Sequence, residues 1–123
     1  MTEQSIKTIP GPHPSPSKPR LELPAGACDA HCHIFGPADM FPYHPNRSYT
    51  PPDAPKEKLE DLHALLGIER AAIVHASCHG SYMEATLDAI ASSKGRYRGT
   101  SIVEHDITEL ELQRLHAGGI RAV

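Results

Sequence analysis

The pattern of hydrophobic and polar positions changes at Ala27. From there on, short apolar runs alternate with segments whose apolar side chains recur every three or four positions. Such alternation predicts strands separated by helices, and strands joined through helices form a parallel sheet. The four predicted strands are residues 28–34, 70–77, 98–104 and 119–123.

The segments between these strands predict three helices. The first has one apolar face, formed by Leu59, Leu62, Leu65 and Leu66. Asp53 is its candidate N-cap, and Gly67 suits the position after its last turn. The second, residues 83–94, is expected to bury Leu87, Ile90 and Ala91. The third follows a capping box formed by Thr108 and Glu111, so the whole pattern predicts an α/β fold.

Proline divides the chain into an arm and a folded domain. Six of the 12 prolines lie in the first 24 residues, at Pro10, Pro12, Pro14, Pro16, Pro19 and Pro24. Missing N–H donors and restricted φ angles disfavour helices and strands there, so residues 1–24 are predicted to be an extended arm and residues 25–123 the domain. The arm is either a loose tail or a strap across the domain.

Residues 35–52 are predicted to be a long functional loop.

Composition limits the classes of function. The 123 residues include 12 Lys and Arg and 15 Asp and Glu, a formal net charge of −3, which gives no electrostatic reason to expect a nucleic acid or a membrane as partner. Three cysteines cannot all pair, so Cys28, Cys32 and Cys78 are interpreted as reduced thiols. No bilayer-spanning run and no signal-peptide core is found, so we expect a cytoplasmic protein.

Residues 28–33, CDAHCH, contain two thiols, two imidazoles and a carboxylate. Side chains alternate between the two faces of a strand. One face is predicted to carry Asp29, His31 and His33. The other is predicted to carry Cys28, Ala30 and Cys32. A zinc site needs converging ligands, so we interpret the cysteines as packing residues. The two histidines can reach one ion or one substrate oxygen, but histidines hydrogen-bonded in a core are an equal alternative.

The second strand also ends in polar groups. His75 and Ser77 are predicted to share a face, and the strand leads into Cys78-His79-Gly80-Ser81. Ligands of parallel α/β folds bind at the carboxyl ends of the strands, so this cluster favours a site there. Taken singly, Ser77 suits a turn cap, His79 a solvated position and Cys78 a buried one.

The remaining polar groups are less informative. Residues 104–106 follow the third strand and supply either a carboxylate or an N-cap, with Asp106 the candidate cap. His63 and His116 lie in predicted helices and are interpreted as incidental. Dinucleotide, nucleoside triphosphate and α/β-hydrolase motifs are absent from the sequence.

Several segments together resemble one known family. They are DAHCHIFGP (residues 29–37), the loop ending RSYTP, IVHASCHGSYMEATLDAI (73–90), RGTSIVE (98–104) and LHAGGIRAV (115–123). This combination resembles the amidohydrolase-related family of 2-pyrone-4,6-dicarboxylate lactonases from about residue 16 onward. The resemblance implies a (β/α)₈ TIM barrel and hydrolysis of a cyclic ester in aromatic-acid degradation.

The resemblance also implies roles for individual residues. His31 and His33 would line the pocket and polarise or orient the lactone. Tyr49 and Ser77 would hold a substrate carboxylate, with His79 close by. The substrate would be a small anionic lactone or dicarboxylate. These lactonases are understood to need no metal cofactor; a metal-dependent relative would use His31 and His33 as ligands.

The chain departs from the family in its length. It ends at Val123, inside the fourth predicted strand, whereas a barrel of this type has about 250 residues. The family's arginines beyond strand four, a later histidine and the aspartate that activates water are expected beyond that point. We therefore expect the N-terminal half of a lactonase barrel, a fragment inactive on its own.

Three other functions stay open. A sugar-acid lactonase and a metal-dependent amidohydrolase or decarboxylase belong to the same superfamily. A noncatalytic metal-binding or interaction module is an alternative of another class. It would use Cys28, His31, His33, Cys78 and His79.

Overall fold

A computed structural model describes residues 5–123 of the chain. Its main sheet has four strands, β2 Cys28–Cys32, β4 Arg70–Ile73, β5 Tyr97–Thr100 and β6 Ile120–Ala122. They are parallel and lie in the order β2-β4-β5-β6. A helix separates each strand of this sheet from the next along the chain. The predicted α/β fold is therefore confirmed, with the connectivity of half a (β/α)₈ barrel.

The three helices are α1 Lys56–Leu66, α2 Glu84–Ser92 and α3 Glu109–Ala117. Gly67 ends α1 in the left-handed region at φ 76°, as predicted, and the Thr108 hydroxyl accepts the N–H of Glu111 at the start of α3. The predicted cap at Asp53 is wrong. Pro55 occupies the N-cap position of α1, and the carboxylate of Asp53 is turned toward the preceding loop.

The second predicted strand is too long. It ends at Ile73 because the chain then leaves the ladder, and the N–H of His75 donates to the side chain of Thr100 instead. A short 3₁₀ turn, Ser77–His79, follows. Ser77 therefore lies on a turn beyond the strand, and the prediction that it shares a strand face with His75 is wrong: His75 is buried and Ser77 is exposed.

A second, two-stranded sheet joins the arm to the long loop. Strand β1, Lys7–Thr8, pairs in parallel with β3, Tyr49–Thr50. Just beyond it, the N–H of Ile9 donates to the carbonyl of Thr50 at 3.2 Å. The sequence did not predict this pairing. It is possible because Lys7 and Thr8 precede the first proline of the arm and keep their N–H donors.

The core lies between the sheet and the helices. Its most deeply buried members include Ile73, Ala89, Tyr97 and Leu115. A Cβ atom at Gly99 would lie 3.0 Å from Ile90 and 3.1 Å from Ile120, so α2 and β6 pack directly against β5. Ala91, predicted to be buried, is exposed, because α2 turns a face containing Ala85 and Ala89 to the sheet. No helix within residues 5–123 has the length and hydropathy to cross a membrane.

Replacing Ile73 by alanine should destabilise the chain strongly. Ile73 is 0% exposed on the central strand β4, so the truncation loses buried contacts and leaves a cavity. We expect the free energy of unfolding in urea to fall by about 2–5 kcal/mol. Ile102→Ala is the matched control, since Ile102 is 36% exposed, and its cost should stay below about 1 kcal/mol. Equal losses in the two variants would contradict this description of the core.

Candidate active site

Strand β2 contains one extra residue relative to its neighbour. Asp29 pairs with Ala71 and Cys32 pairs with Ile73, so three steps along β2 match two steps along β4. Asp29 and Cys32 therefore both face α1, where Nε2 of His63 lies 3.0 Å from Oδ2 of Asp29. The prediction that Asp29 shares a face with His31 and His33 is wrong, because it assumed an unbroken alternation.

His31 and His33 project together from the other side of β2. Their ring centroids are 5.1 Å apart, both residues are exposed, and Cys32 between them is buried. Nδ1 of His33 lies 2.8 Å from the carbonyl oxygen of Val74. A carbonyl only accepts, so Nδ1 carries the proton and the neutral ring leaves a lone pair on Nε2. The imidazole of His31 makes no hydrogen bond to residues 5–123.

The long loop is closed at its base. Phe35 and Ala54 exchange two backbone hydrogen bonds of 3.0 and 2.7 Å. Inside the loop, the carboxylate of Asp53 accepts the hydroxyl of Tyr43 at 2.7 Å and the N–H of Ala38 at 3.2 Å. These contacts explain why a proline-rich segment without a helix has a defined path.

The loop docks on the turn that follows β4. The N–H of His44 donates to the carbonyl of Cys78 at 2.8 Å, and the ring of His44 fills the space over Gly80, where a Cβ would lie 2.7 Å away. Gly80 itself has a positive φ of 56°, which also favours glycine. The loop thereby places Tyr49 beside the end of β4.

Tyr49, Ser77 and Arg47 lie together at this end of the sheet. Burial raises the pKa of the Tyr49 phenol, and the nearby side chain of Ser77 opposes that effect. Arg47 is half-buried; its Nε donates to the Thr50 hydroxyl at 2.8 Å and Nη1 to the carbonyl of His44 at 3.0 Å. Both hydrogen bonds hold the guanidinium of Arg47 within the loop.

His79 is 1% exposed and fully hydrogen-bonded. Its Nδ1 donates to the carbonyl of Pro42 at 3.1 Å, and its Nε2 accepts the N–H of Gly36 at 3.0 Å. Burial lowers the pKa of His79, which keeps the ring neutral. In this arrangement neither ring nitrogen is free to contact a ligand, and His79 connects the turn to the long loop.

His75 is a second buried histidine of the same region. Nδ1 lies 2.8 Å from the Thr86 hydroxyl, and Nε2 donates to the carbonyl of Gly80 at 2.9 Å. Burial lowers the pKa of His75 to about 4, and the neighbouring His79 ring contributes in the same direction. The ring is therefore neutral near pH 7 and holds β4, α2 and the turn together.

A cavity of about 490 Å³ opens beside β2. It lies along the free edge of β2, between the arm and α1. His31, His33 and Phe35 line it together with Asp29 and Cys32, the arm contributes residues 10–12, and α1 contributes Leu59 and Leu62. Pro52 of the loop packs against the arm at Gly11, where a Cβ would be 3.3 Å from its Cγ. The arm and the loop thus form one wall beside the imidazole pair.

Sequence reasoning missed His63, which was interpreted as incidental. It is 1% exposed and bonds to both Asp29 and Tyr97. Its spacing held the signal: His63 follows Leu59 by four positions and precedes Leu66 by three, which places it on the buried face of α1.

The five side chains of the metal-binding module suggested from the sequence do not converge on one point in the described structure. Cys78 and His79 are buried beyond β4, whereas Cys28 is exposed at the start of β2. A different group, Asp29, Cys32 and His63, brings three ligand atoms within 4.8 Å of one another. Burial raises the pKa of the Cys32 thiol to about 12, however, and this opposes the thiolate form that a metal ion binds.

Comparison with known proteins gives consistent matches. Residues 28–123 match a family model described as amidohydrolase. The chain is 50% identical over 109 residues to the 2-pyrone-4,6-dicarboxylate hydrolase of Comamonas testosteroni. This match covers 89% of this chain and 36% of that protein. It is 38% identical over 122 residues to the 4-sulfomuconolactone hydrolase of Hydrogenophaga intermedia. That match covers 97% of this chain and 40% of the relative.

Solved structures agree with these sequence matches. A probable 2-pyrone-4,6-dicarboxylic acid hydrolase from Acinetobacter baumannii, crystallised with citric acid bound, superposes with a TM-score of 0.70 and 26% identity. The match covers 77% of this chain and 35% of that one. The chain belongs to the amidohydrolase family, and the predicted resemblance is confirmed. It spans about 36–40% of the length of the curated relatives it matches.

The buried histidine His75 should make folding stability depend on pH. Its folded pKa of about 4 lies below the ordinary value of 6.5, so the unfolded chain binds more protons between these values. The contribution of a neutral His75 to stability is therefore present above pH 6.5 and is lost as the pH falls toward 4. From pH 7 to pH 5, His75 should account for a loss of about 2 kcal/mol.

Urea denaturation at several pH values measures this loss. His75→Gln should flatten the dependence between pH 7 and pH 5, while the control His105→Gln, at an exposed position, should keep it. If His75→Gln keeps the full dependence of unfolding free energy on pH, His75 is not the group responsible.

Proposed function

We propose that this chain supplies the imidazole pair of a lactone hydrolase that acts on a small anionic cyclic ester of the 2-pyrone-4,6-dicarboxylate type. The observation that carries the proposal is the exposed His31–His33 pair at the carboxyl end of β2, beside an open cavity. This is the end at which parallel α/β enzymes bind their substrates. The 50% identity to a hydrolase named for this substrate supports the choice of substrate.

Hydrolysis of a lactone needs a base for the attacking water, donors for the developing oxyanion, and partners for the substrate carboxylates. In the proposal, His31 donates an N–H to the ring carbonyl, because its imidazole is not engaged with other residues in the described part of the chain. His33 orients the substrate or a water through Nε2, since Nδ1 is committed to Val74. Nε2 can donate only when the ring is protonated.

The substrate carboxylate is assigned to the group around Tyr49. The hydroxyls of Tyr49 and Ser77 are donors at the same end of the sheet, and the charge of Arg47 lies in the same loop. Charge-assisted hydrogen bonds to a carboxylate are stronger than neutral ones, which suits this combination. His79 takes part indirectly, by holding the loop through Gly36 and Pro42. We further propose a cytoplasmic setting, in which the three free cysteines stay reduced.

We also propose that the reaction proceeds without a bound metal, as the family resemblance implies. The competing possibility has one structural argument in its favour. An imidazole that donates Nδ1–H to a carbonyl, as His33 does, has the geometry typical of metal-ligating histidines. In a metal-dependent enzyme, His31 and His33 would be the ligands, and the ion would polarise the carbonyl or activate water.

A hybrid enzyme tests the proposed function. In the hybrid, this chain replaces the matching segment of the Comamonas testosteroni hydrolase, to which it is 50% identical. We expect loss of pyrone absorbance over time, and we expect His31→Ala to lower kcat by about 10²-fold to 10³-fold because an oxyanion donor is lost. His105→Ala, at an exposed site, is the control. A folded hybrid that leaves the pyrone intact contradicts the proposal; a panel with sugar-acid and sulfonated lactones then identifies the preferred ring.

Removal of metal should leave the hybrid active. We expect kcat to change by less than about twofold after exhaustive chelation and dialysis, since the proposed steps use only side chains. Added Zn²⁺ or Mn²⁺ should not raise it. Loss of activity on chelation, with recovery on adding one ion, would assign the imidazole pair as metal ligands instead.

A further inference from the structure

A chain of hydrogen-bonded side chains lies behind the exposed face of β2. It joins Asp29 of β2, His63 of α1 and Tyr97 of β5. Nε2 of His63 is 3.0 Å from Oδ2 of Asp29, and Nδ1 is 3.2 Å from the hydroxyl of Tyr97. His63 is 1% exposed and Tyr97 is 0% exposed, so the network is shielded from water. Three separate elements of the fold meet in it.

The direction of these hydrogen bonds follows from which groups can donate. A carboxylate only accepts, so Nε2 of His63 donates to Asp29, and in the neutral ring Nδ1 accepts from Tyr97. The second carboxylate oxygen, Oδ1 of Asp29, accepts the backbone N–H of His31 at 3.0 Å. One carboxylate thereby connects the buried network to the backbone of a residue in the candidate active site.

The bulge and this network depend on each other. In a regular strand, Asp29 would project from the same face as His31 and His33. The extra residue between Asp29 and Cys32 turns the carboxylate toward His63 of α1, while the two imidazoles stay side by side and exposed. The turned carboxylate can then reach His63 on one side and the N–H of His31 on the other.

The charge state of Asp29 agrees with this arrangement. Burial acts to raise the pKa of Asp29, but hydrogen bonds from His63 and from the N–H of His31 outweigh it and hold the pKa below the ordinary value. The carboxylate is therefore ionised near neutral pH and accepts two charge-assisted hydrogen bonds.

We propose that Asp29 and His63, supported by Tyr97, are positioning residues that hold the bulge of β2 so that His31 and His33 project side by side into the site. The inference rests on the proposed function, since positioning serves catalysis only if this imidazole pair takes part in it. Neither Asp29 nor His63 is assigned a contact with the substrate.

Hydrogen exchange followed by NMR on this chain tests the proposal directly. His63→Leu keeps much of the side-chain volume but removes the donor to Asp29, so the His31 amide should exchange at least about tenfold faster. His63→Gln offers an N–H near the position of Nε2 and should restore slow exchange. His105→Gln, at an exposed site, should have no effect.

A second amide separates positioning from general loss of stability. Ala71 lies next to the bulge on β4 and donates to the carbonyl of Arg96, outside the proposed network. Its exchange should stay within about twofold in all variants. The proposal is overturned if His31 is unchanged in His63→Leu, or if Ala71 accelerates as much as His31 does. If His63→Leu does not fold, Tyr97→Phe decides the matter by the same comparison, because it removes only one hydroxyl.

The hybrid enzyme adds a functional readout. There, His63→Leu should lower kcat by about tenfold with KM little changed, and His63→Gln should recover most of the loss, because geometry rather than substrate contact is affected. A change confined to KM would overturn the positioning role. The exchange measurement needs no substrate, so failure of the proposed lactone chemistry and failure of this inference are separate results.

Discussion

The pairing between β2 and β4 is the constraint on which the rest of the site depends. One extra residue in β2 decides which of its side chains face α1. Cys32 enters the core and Asp29 turns to α1, while His31 and His33 remain on the exposed face. A regular strand would have mixed a carboxylate with the two imidazoles. The bulge instead directs the carboxylate to His63 and leaves the two imidazoles exposed beside each other.

The histidines around β2 and β4 form a buried group and an exposed group. His63, His75 and His79 are buried, and both ring nitrogens of each have partners within the chain. A buried imidazole without partners would be costly, and its satisfied hydrogen bonds make it a connector between elements. His31 and His33 are exposed, and each retains at least one free ring nitrogen among the described residues. Free ring nitrogens beside a cavity are available to a bound ligand.

Much of the fold could be predicted because local signals agreed with the tertiary structure. The apolar runs marked four strands, Gly67 marked the end of α1, and Thr108 marked the start of α3. The bulge could not be predicted, because the alternation of polar and apolar residues does not show where a strand contains an extra residue. Asp53 was assigned to a helix end because local reasoning omits a tertiary partner, here Tyr43. Ser77 lies outside the strand because the N–H of His75 donates to the Thr100 hydroxyl instead of continuing the strand pairing.

The residues of the candidate site were suggested from the sequence, and their roles stay predictions. The spacing of His31 and His33 suggested the imidazole pair, and the family resemblance suggested Tyr49 and Ser77. The docked loop places Tyr49 near Ser77. The support behind them was missed. His63 looked incidental because a single histidine on a helix has no visible partner until the strand is placed against it.

One titration tests the central claim most directly. The chain, labelled with ¹⁵N and ¹³C, is titrated with 2-pyrone-4,6-dicarboxylate while the NMR signals of all nine histidines are followed. The account predicts saturable shifts at the rings of His31 and His33 and at the amides of Tyr49 and Ser77, with His63 and His75 unchanged. Binding that shifts only His105 or His116, or that leaves every histidine signal in place, would contradict it.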